Sequence, residues 1–343
     1  MDSAIPIPVS ESAIGNEARG ELAHAESLTV AEQLLRGNDP DHALQAARIF
    51  SLEGQRDRAI EILRQAIVAH PKHAGLLVTL ADLLSRSGTF EEADLVFRQA
   101  LEYAPADAES WYRRGLHESR QGRLDLARES YEESVRLEPS RARAWVNLGL
   151  VRADLADRAG AIRALERAVQ ADPACAEAHS NLGVLYHDAG MRAEGIEAFR
   201  RAVALAPDSS EAHFNLGWAL LGDMELEPAE ELLEASVRLD GQNVEGLYAL
   251  ALLHLRVGKT ARAVASLRQA VELRPDDGRL HYQLGVAYNR QDAVDQAILS
   301  LETAARLCPE DPRPHHLLGI AYDKKELPVL AREAYRRAAA LNG

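Results

Sequence analysis

The sequence contains little that would support a disulfide framework or a membrane span. Only two cysteines, Cys175 and Cys308, occur in 343 residues, and they are too far apart in sequence to suggest a framework of pairs. Two isolated thiols favour a reducing compartment, so we predict a cytoplasmic location. No apolar run approaches the ~20 residues that a bilayer span needs. The N-terminus also lacks the basic start and apolar core of a secretory signal, so we expect neither secretion nor membrane insertion.

Lysine and aromatic residues are also scarce. The chain has four lysines and 5% aromatic residues, while Ala, Leu, Arg and Glu dominate. This composition is typical of helical proteins, because these residues lose little side-chain freedom in a helix. The net charge of −14 disfavours a nucleic-acid backbone as the main partner, since phosphate binding needs an excess of cations.

An internal period of 34 residues organises the chain. The prolines that reveal it are each 34 residues apart over much of the sequence, and counting back from them gives nine repeats. The repeats begin at residues 40, 74, 108, 142, 176, 210, 244, 278 and 312. We number the positions of each repeat as columns 1 to 34.

The columns of the repeat predict a helical hairpin. Column 8 is always Ala or Gly, column 20 is Ala except at Gly195, and column 24 is always large. Small residues at columns 8 and 20 allow two helix backbones to approach closely, and the large residue fills the space beside them. The terminal proline ends the second helix because it cannot continue the helical hydrogen bonding. A single hairpin cannot bury its apolar face alone, so neighbouring hairpins are expected to stack.

These columns resemble the tetratricopeptide repeat (TPR) family, most closely in residues 145–173 and 179–207. The resemblance covers residues 40–343 and implies an all-α fold, a right-handed superhelical solenoid of nine TPR hairpins. It also implies that the first helix of each hairpin lines a concave groove. Residues 1–27 are polar and acidic, and we predict a disordered tail. Residues 28–39 are predicted to form an N-terminal capping helix.

Column 6 carries a row of asparagines in the middle repeats: Asn147, Asn181 and Asn215. An amide both donates and accepts hydrogen bonds, so such a row can bind an extended peptide backbone without reading its sequence. The row is similar to the asparagine ladder of the TPR superhelix in O-GlcNAc transferase. The alternative is that these asparagines simply match the common TPR consensus sequence and stay solvated.

Columns 5 and 9 form an apolar track that fades toward the N-terminus. Phe214 and Trp218 are one helical turn apart and are the predicted anchor of a partner, joined by Tyr248 and Tyr282. The alternative is that these side chains pack against the neighbouring helix. Arginines that are predicted to take a ligand's carboxylates stand at column 2 (Arg143, Arg279, Arg313) and column 13 (Arg120, Arg256, Arg290). No repeat carries the Lys and Asn pair of the Hsp90-type carboxylate clamp, so recognition of a C-terminal acidic tail by that clamp is not expected.

No catalytic, metal or cofactor site is predicted. The column 4 histidines, His179, His213, His281 and His315, fall on separate hairpins, too far apart to share a metal ion. They occupy the slot of Trp111 and Trp145, which indicates a packing role. Gly258-Lys259-Thr260 lacks the other features of a phosphate loop and is interpreted as a hairpin turn.

The sequence therefore predicts a non-catalytic scaffold or adaptor that binds a segment of another protein in its groove. Two alternatives remain open. In one, the chain self-associates through an uncapped C-terminal end into a homo-oligomer. In the other, it is the targeting arm of an enzyme domain on a separate or removed segment.

Overall fold

The computed structural model describes residues 27–35 and 39–342. The predicted tail, apart from residue 27, lies outside the described residues, as do residues 36–38 of the predicted capping segment. Within the part described, residues 27–34 form a helix, α1, whose Ala31 is fully buried in the same core as Ala43 and Phe50. Ser27 also donates a hydrogen bond to the carboxylate of Glu53 at 2.6 Å, so α1 packs against the first hairpin.

Eighteen further helices alternate between 13 and 14 residues in length over the described range. The first helices of the hairpins are α2 (Pro40–Leu52), α4 (Ala74–Arg86), α6 (Ala108–Arg120), α8 (Ala142–Asp154), α10 (Ala176–Asp188), α12 (Ser210–Gly222), α14 (Val244–Arg256), α16 (Gly278–Arg290) and α18 (Pro312–Lys324). The second helices are α3 (Arg56–Ala69), α5 (Phe90–Tyr103), α7 (Leu124–Leu137), α9 (Arg158–Ala171), α11 (Arg192–Leu205), α13 (Leu226–Leu239), α15 (Thr260–Leu273), α17 (Val294–Leu307) and α19 (Pro328–Leu341).

Helix starts and ends recur in the same columns. The residue before each first helix occupies column 34, and in most repeats its side chain accepts a hydrogen bond from a backbone N–H of the first turn, as Asp107 and Ser209 do. The turn between the two helices always places column 15 at positive φ, from 58° to 82°. Five of these nine residues are glycine, and Ala156, Met224, Asp292 and Glu326 adopt the same conformation.

Within a hairpin, column 8 of the first helix lies directly against column 24 of the second. A methyl group built on Gly217 would stand 2.9 Å from Cγ of Leu233, and one on Gly149 would stand 2.7 Å from Cγ of Leu165. Both leucines are fully buried. The small column therefore sets the spacing of the two helices, as the sequence predicts.

The chain divides into two compact units, residues up to Pro173 and residues from Ala174. The first unit contains four hairpins and the second contains five. In each unit the second helix of one hairpin packs on the first helix of the next, and successive first helices also contact each other. The predicted fold class, an all-α array of stacked helical hairpins, is confirmed over the described residues. Among the residues described, no helix combines the length and apolar character of a membrane span.

Candidate partner-binding surface

The first helices of the second unit line a cavity of about 660 Å³. Four successive first helices contribute to its lining: His187 from α10, Trp218 from α12, Leu252 from α14 and Val286 from α16. The last three occupy column 9 of their repeats, which is the apolar track expected from the sequence. We call this the Trp218 cavity. Column 9 recurs once per hairpin, so stacking of the hairpins brings these side chains onto one surface.

Trp218 is the large aromatic residue of this surface and is 41% exposed. Its indole stacks on the ring of Phe214, with the ring centroids 6.2 Å apart and the planes inclined by 27°. Phe214 itself is half-buried and packs against the core around Leu216 and Leu220. The Phe214 ring therefore supports the indole from the core side and leaves part of it open to the cavity.

Tyr248 and Tyr282 are also half-buried, but each is partly covered by an arginine of the next repeat. The guanidinium carbon of Arg279 lies 5.7 Å from the ring centroid of Tyr248, and that of Arg313 lies 5.0 Å from the ring centroid of Tyr282. These are cation–π distances. Both tyrosine rings therefore contact the next hairpin, and neither lines the Trp218 cavity.

The three column 2 arginines differ in what they contact. Arg279 lies 2.7 Å from Asp277 and 3.2 Å from Glu245, and Arg313 lies 2.7 Å from Asp311. The hydrogen bonds from these two arginines hold the pKa of Asp277 and of Asp311 below the usual range. Arg143 is exposed and makes no ion pair within the described residues. Two of the three predicted carboxylate ligands are therefore already paired within the chain.

The asparagine row is not uniform. Nδ2 of Asn147 donates to the hydroxyl of Tyr112 at 3.3 Å, and Nδ2 of Asn215 donates to the hydroxyl of Ser180 at 3.1 Å. Both acceptors occupy column 5 of the preceding repeat. Among the described residues Asn181 makes no side-chain hydrogen bond, whereas Asn147 and Asn215 each use one amide N–H within the chain.

Cations at column 13 bind the carbonyl of column 12 in the preceding repeat. Nη1 of Arg256 donates to the Leu221 carbonyl at 3.2 Å, Nη1 of Arg290 donates to the Leu255 carbonyl, and Nζ of Lys324 donates to the Asn289 carbonyl at 3.2 Å. These carbonyls lie in the last turn of a first helix, where no helical donor follows. The sequence predicts only a ligand role for Arg256 and Arg290, and the structure adds this capping contact.

Column 4 has a packing role, as predicted, together with a hydrogen bond that the sequence did not reveal. The indole N–H groups of Trp111 and Trp145 each donate at 2.9 Å to the carbonyl of the preceding repeat's terminal proline. His281 makes the same contact to Pro275 at 2.8 Å. Trp111, Trp145 and His281 thus each present a ring nitrogen to the equivalent proline carbonyl. His315 is buried, and burial lowers its pKa.

The first unit carries a charged cavity of about 400 Å³ in place of an aromatic one. Asp82, only 6% exposed, lies 3.0 Å from Arg86, 3.2 Å from Arg113 and 3.3 Å from Arg120. The pairing of a buried carboxylate with several guanidinium groups satisfies charges that would otherwise be costly to bury. The apolar track of column 9 is interrupted at Asp82, and the structure shows that ion pairs take its place there.

Two buried histidines join neighbouring hairpins through a column 21 carboxylate. Nε2 of His117 lies 3.0 Å from Asp94, and Nε2 of His254 lies 3.2 Å from Glu230. Burial lowers the pKa of both histidines, although the carboxylate at each acts in the opposite direction.

His254, Glu230 and Glu234 lie close enough together to hold a metal ion. However, Lys259 lies 2.6 Å from Glu230 and Arg262 lies 3.2 Å from the same carboxylate. Glu230 therefore already has cationic partners within the chain, which disfavours a divalent ion at this position.

Sequence comparisons identify the family. Models described as tetratricopeptide repeat match residues 43–75, 78–142, 112–155, 146–191, 176–209 and 248–312. These matches cover more than half of the chain, which therefore belongs to the tetratricopeptide repeat family. A search of curated protein sequences gives no match.

Solved structures with the same architecture include PilF of Pseudomonas aeruginosa, which is 20% identical with a TM-score of 0.54 over 64% of this chain and 96% of PilF. A chain of the APC/C hetero-tetramer Cut9-Hcn1 is 20% identical with a TM-score of 0.52 over 88% of this chain and 60% of that one. YrrB, described as a TPR protein with an unusual peptide-binding site, is 18% identical with a TM-score of 0.48 over 55% of this chain and 97% of YrrB. The fold is one of protein-interaction scaffolds and is typically non-catalytic.

Proposed function

We propose that the protein is a non-catalytic scaffold that binds a segment of another protein along the first helices of its second unit. The observation that carries this proposal is the partly exposed indole of Trp218, which lines a cavity of about 660 Å³. An aromatic residue that is supported by packing yet open on one face is typical of an interaction hot spot. The amide of Asn181, one repeat earlier, supports contact with a partner's backbone.

Co-purification from the native cell tests the proposal. Trp218→Ala removes the proposed anchor, and we expect the partner captured by the unaltered protein to be lost or strongly reduced. Tyr103→Ala is the matched control, because Tyr103 is 40% exposed but lies at the end of a second helix, α5, outside the cavity. Equal capture by all three proteins would show that the partner binds elsewhere. Asn181→Ala is expected to weaken capture less than Trp218→Ala.

Self-association is a second candidate, favoured by exposed apolar residues on the last helix. Val329 is 78% exposed and Leu330 is 43% exposed at the start of α19. Light scattering on the same samples distinguishes the candidates, since self-association requires a mass that rises with concentration. The cytoplasmic location stays a prediction, supported by the two free cysteines.

A further inference from the structure

The Trp218 cavity differs in charge from the rest of the chain. Arg192, Arg256 and Arg290 line it, and Asp223 is the single carboxylate among its lining residues. Arg192 and Asp223 form an ion pair at 3.3 Å. The chain as a whole has a net charge of −14, so this cavity is a local excess of positive charge on an acidic protein.

The two remaining arginines have unused donors. Arg256 contacts the Leu221 carbonyl and the sulfur of Met224 through Nη1, and Arg290 contacts the Leu255 carbonyl through Nη1. A guanidinium carries five N–H donors in a planar fork that suits a carboxylate. Neither arginine lies within 4.0 Å of a carboxylate in the described residues. The carbonyl contact therefore fixes each side chain in place while its other N–H groups stay free.

The cavity of the first unit shows that this excess is not a general property of the repeats. Its lining contains Arg48, Arg86 and Arg113 together with Asp82, Asp107 and Glu109, so cations and carboxylates are equal in number. Arg86 pairs with Asp82 at 3.0 Å and Arg113 pairs with Glu109 at 2.6 Å. In that cavity cations and carboxylates balance and both Arg86 and Arg113 are paired, whereas Arg256 and Arg290 of the Trp218 cavity have no carboxylate partner among the described residues.

We propose that the Trp218 cavity selects an acidic peptide segment bearing a large apolar side chain. The apolar side chain packs on Trp218 and Leu252, and carboxylates on either side of it pair with Arg256 and Arg290. This inference rests on the proposed function and adds the chemistry of the partner. A single-stranded nucleic acid also offers flat rings and negative charge, but the net charge of −14 repels a polyanion, so a peptide with few carboxylates is favoured.

Fluorescence anisotropy with labelled short peptides tests the proposal. One peptide has a central phenylalanine flanked by glutamates. Two others replace the glutamates by glutamine or by lysine, a fourth replaces phenylalanine by alanine, and an oligothymidine is the nucleic-acid probe. We expect the acidic phenylalanine peptide to bind the unaltered protein most tightly, with an affinity that falls as salt rises.

Arg256→Gln/Arg290→Gln removes both guanidinium groups and is expected to weaken binding of that peptide about tenfold or more. Lys324→Gln is the matched control, because Lys324 makes the same carbonyl contact but does not line the cavity. Equal binding of the acidic, neutral and basic peptides would overturn this inference and leave the proposed function standing. Absence of binding by every peptide, or tighter binding of the oligothymidine, would also overturn it. The proposed function itself is tested separately by co-purification, and it fails if partner capture does not depend on Trp218.

Discussion

At the scale of single residues, the contact between columns 8 and 24 determines how closely the helices of a hairpin approach. Gly217 and Gly222 allow this to be tested within one helix, α12. A methyl group on Gly217 would lie 2.9 Å from Leu233, whereas nothing lies within 4 Å of one on Gly222. We expect Gly217→Val to lower the free energy of unfolding by about 2–3 kcal/mol through overpacking. Gly222→Val should change it by about 0.5 kcal/mol or less, because surface substitutions away from packed contacts rarely do more.

Guanidinium denaturation followed by circular dichroism measures both variants. Similar midpoints for the two valine variants would show that the hairpin relaxes around column 8. Repeats 1, 2 and 7 already carry Ala at this column, so Gly217→Ala is expected to fall between the unaltered protein and Gly217→Val.

The sequence predicts side-chain packing correctly where the residue in one column limits the size of the residue in another column of the same hairpin. The small residues at column 8 and the large residues at column 24 recur in every repeat, so their packing could be inferred from the period alone. The contacts between hairpins were harder to foresee. Whether Asn147 faces a partner or donates to Tyr112 depends on the residue one repeat earlier, and column 5 varies. Arg279 and Arg313 each follow an aspartate by two residues, a spacing that signals the ion pairs the structure shows.

At the scale of the hairpin, the turn imposes a left-handed backbone at column 15 whatever residue stands there. Ala156 adopts φ of 61° where five other repeats have glycine. The left-handed region costs an L-residue with a Cβ roughly 1 kcal/mol. Ala156→Gly would remove this cost, but glycine loses more backbone entropy on folding, which offsets part of the gain. We therefore expect Ala156→Gly to raise the free energy of unfolding by about 0.5 kcal/mol.

The reciprocal change gives the matched control in the neighbouring hairpin. Gly122 has φ of 68° and no atom within 4 Å of an added Cβ, so Gly122→Ala adds strain without a steric clash. We expect a destabilisation of about 0.5 kcal/mol, the reverse of the change at Ala156, measured by the same denaturation. A stabilising Gly122→Ala would contradict the assignment of the cost to the backbone.

At the scale of the whole molecule, the two units repeat one arrangement in which a buried histidine joins two hairpins. His117 contacts Asp94 in the first unit, and His254 contacts Glu230 in the second. Arg123 also contacts Asp94, and Lys259 and Arg262 also contact Glu230, so each carboxylate already has a cation. In both histidines Nδ1 is buried without a hydrogen bond among the described residues. Protonation would place a second positive charge and an unpaired donor in a buried position, which is costly.

The sign of the resulting pH dependence follows from the lowered histidine pKa values. The unfolded chain takes up a proton near the ordinary histidine pKa of 6.5, while the folded chain does so only at lower pH. The contribution of these two histidines to the free energy of unfolding is therefore fully present above pH 6.5 and is lost as the pH falls below it. Glu230 also has a lowered pKa, but its stabilisation is lost only below its ordinary value of 4.5. The interval from pH 7 to pH 5 thus separates the histidines from this carboxylate.

We expect His117→Gln and His254→Gln each to reduce the loss of stability between pH 7 and pH 5, since glutamine can donate to the carboxylate but does not titrate. The two histidines share no partner, so their effects should add in the double variant. Denaturation at a series of pH values measures this, and His316→Gln, an exposed histidine on α18, is the control. A pH dependence unchanged in the double variant would show that other groups govern acid stability. Additive flattening would instead establish that both units lose stability in acid by protonation of the same buried contact between hairpins.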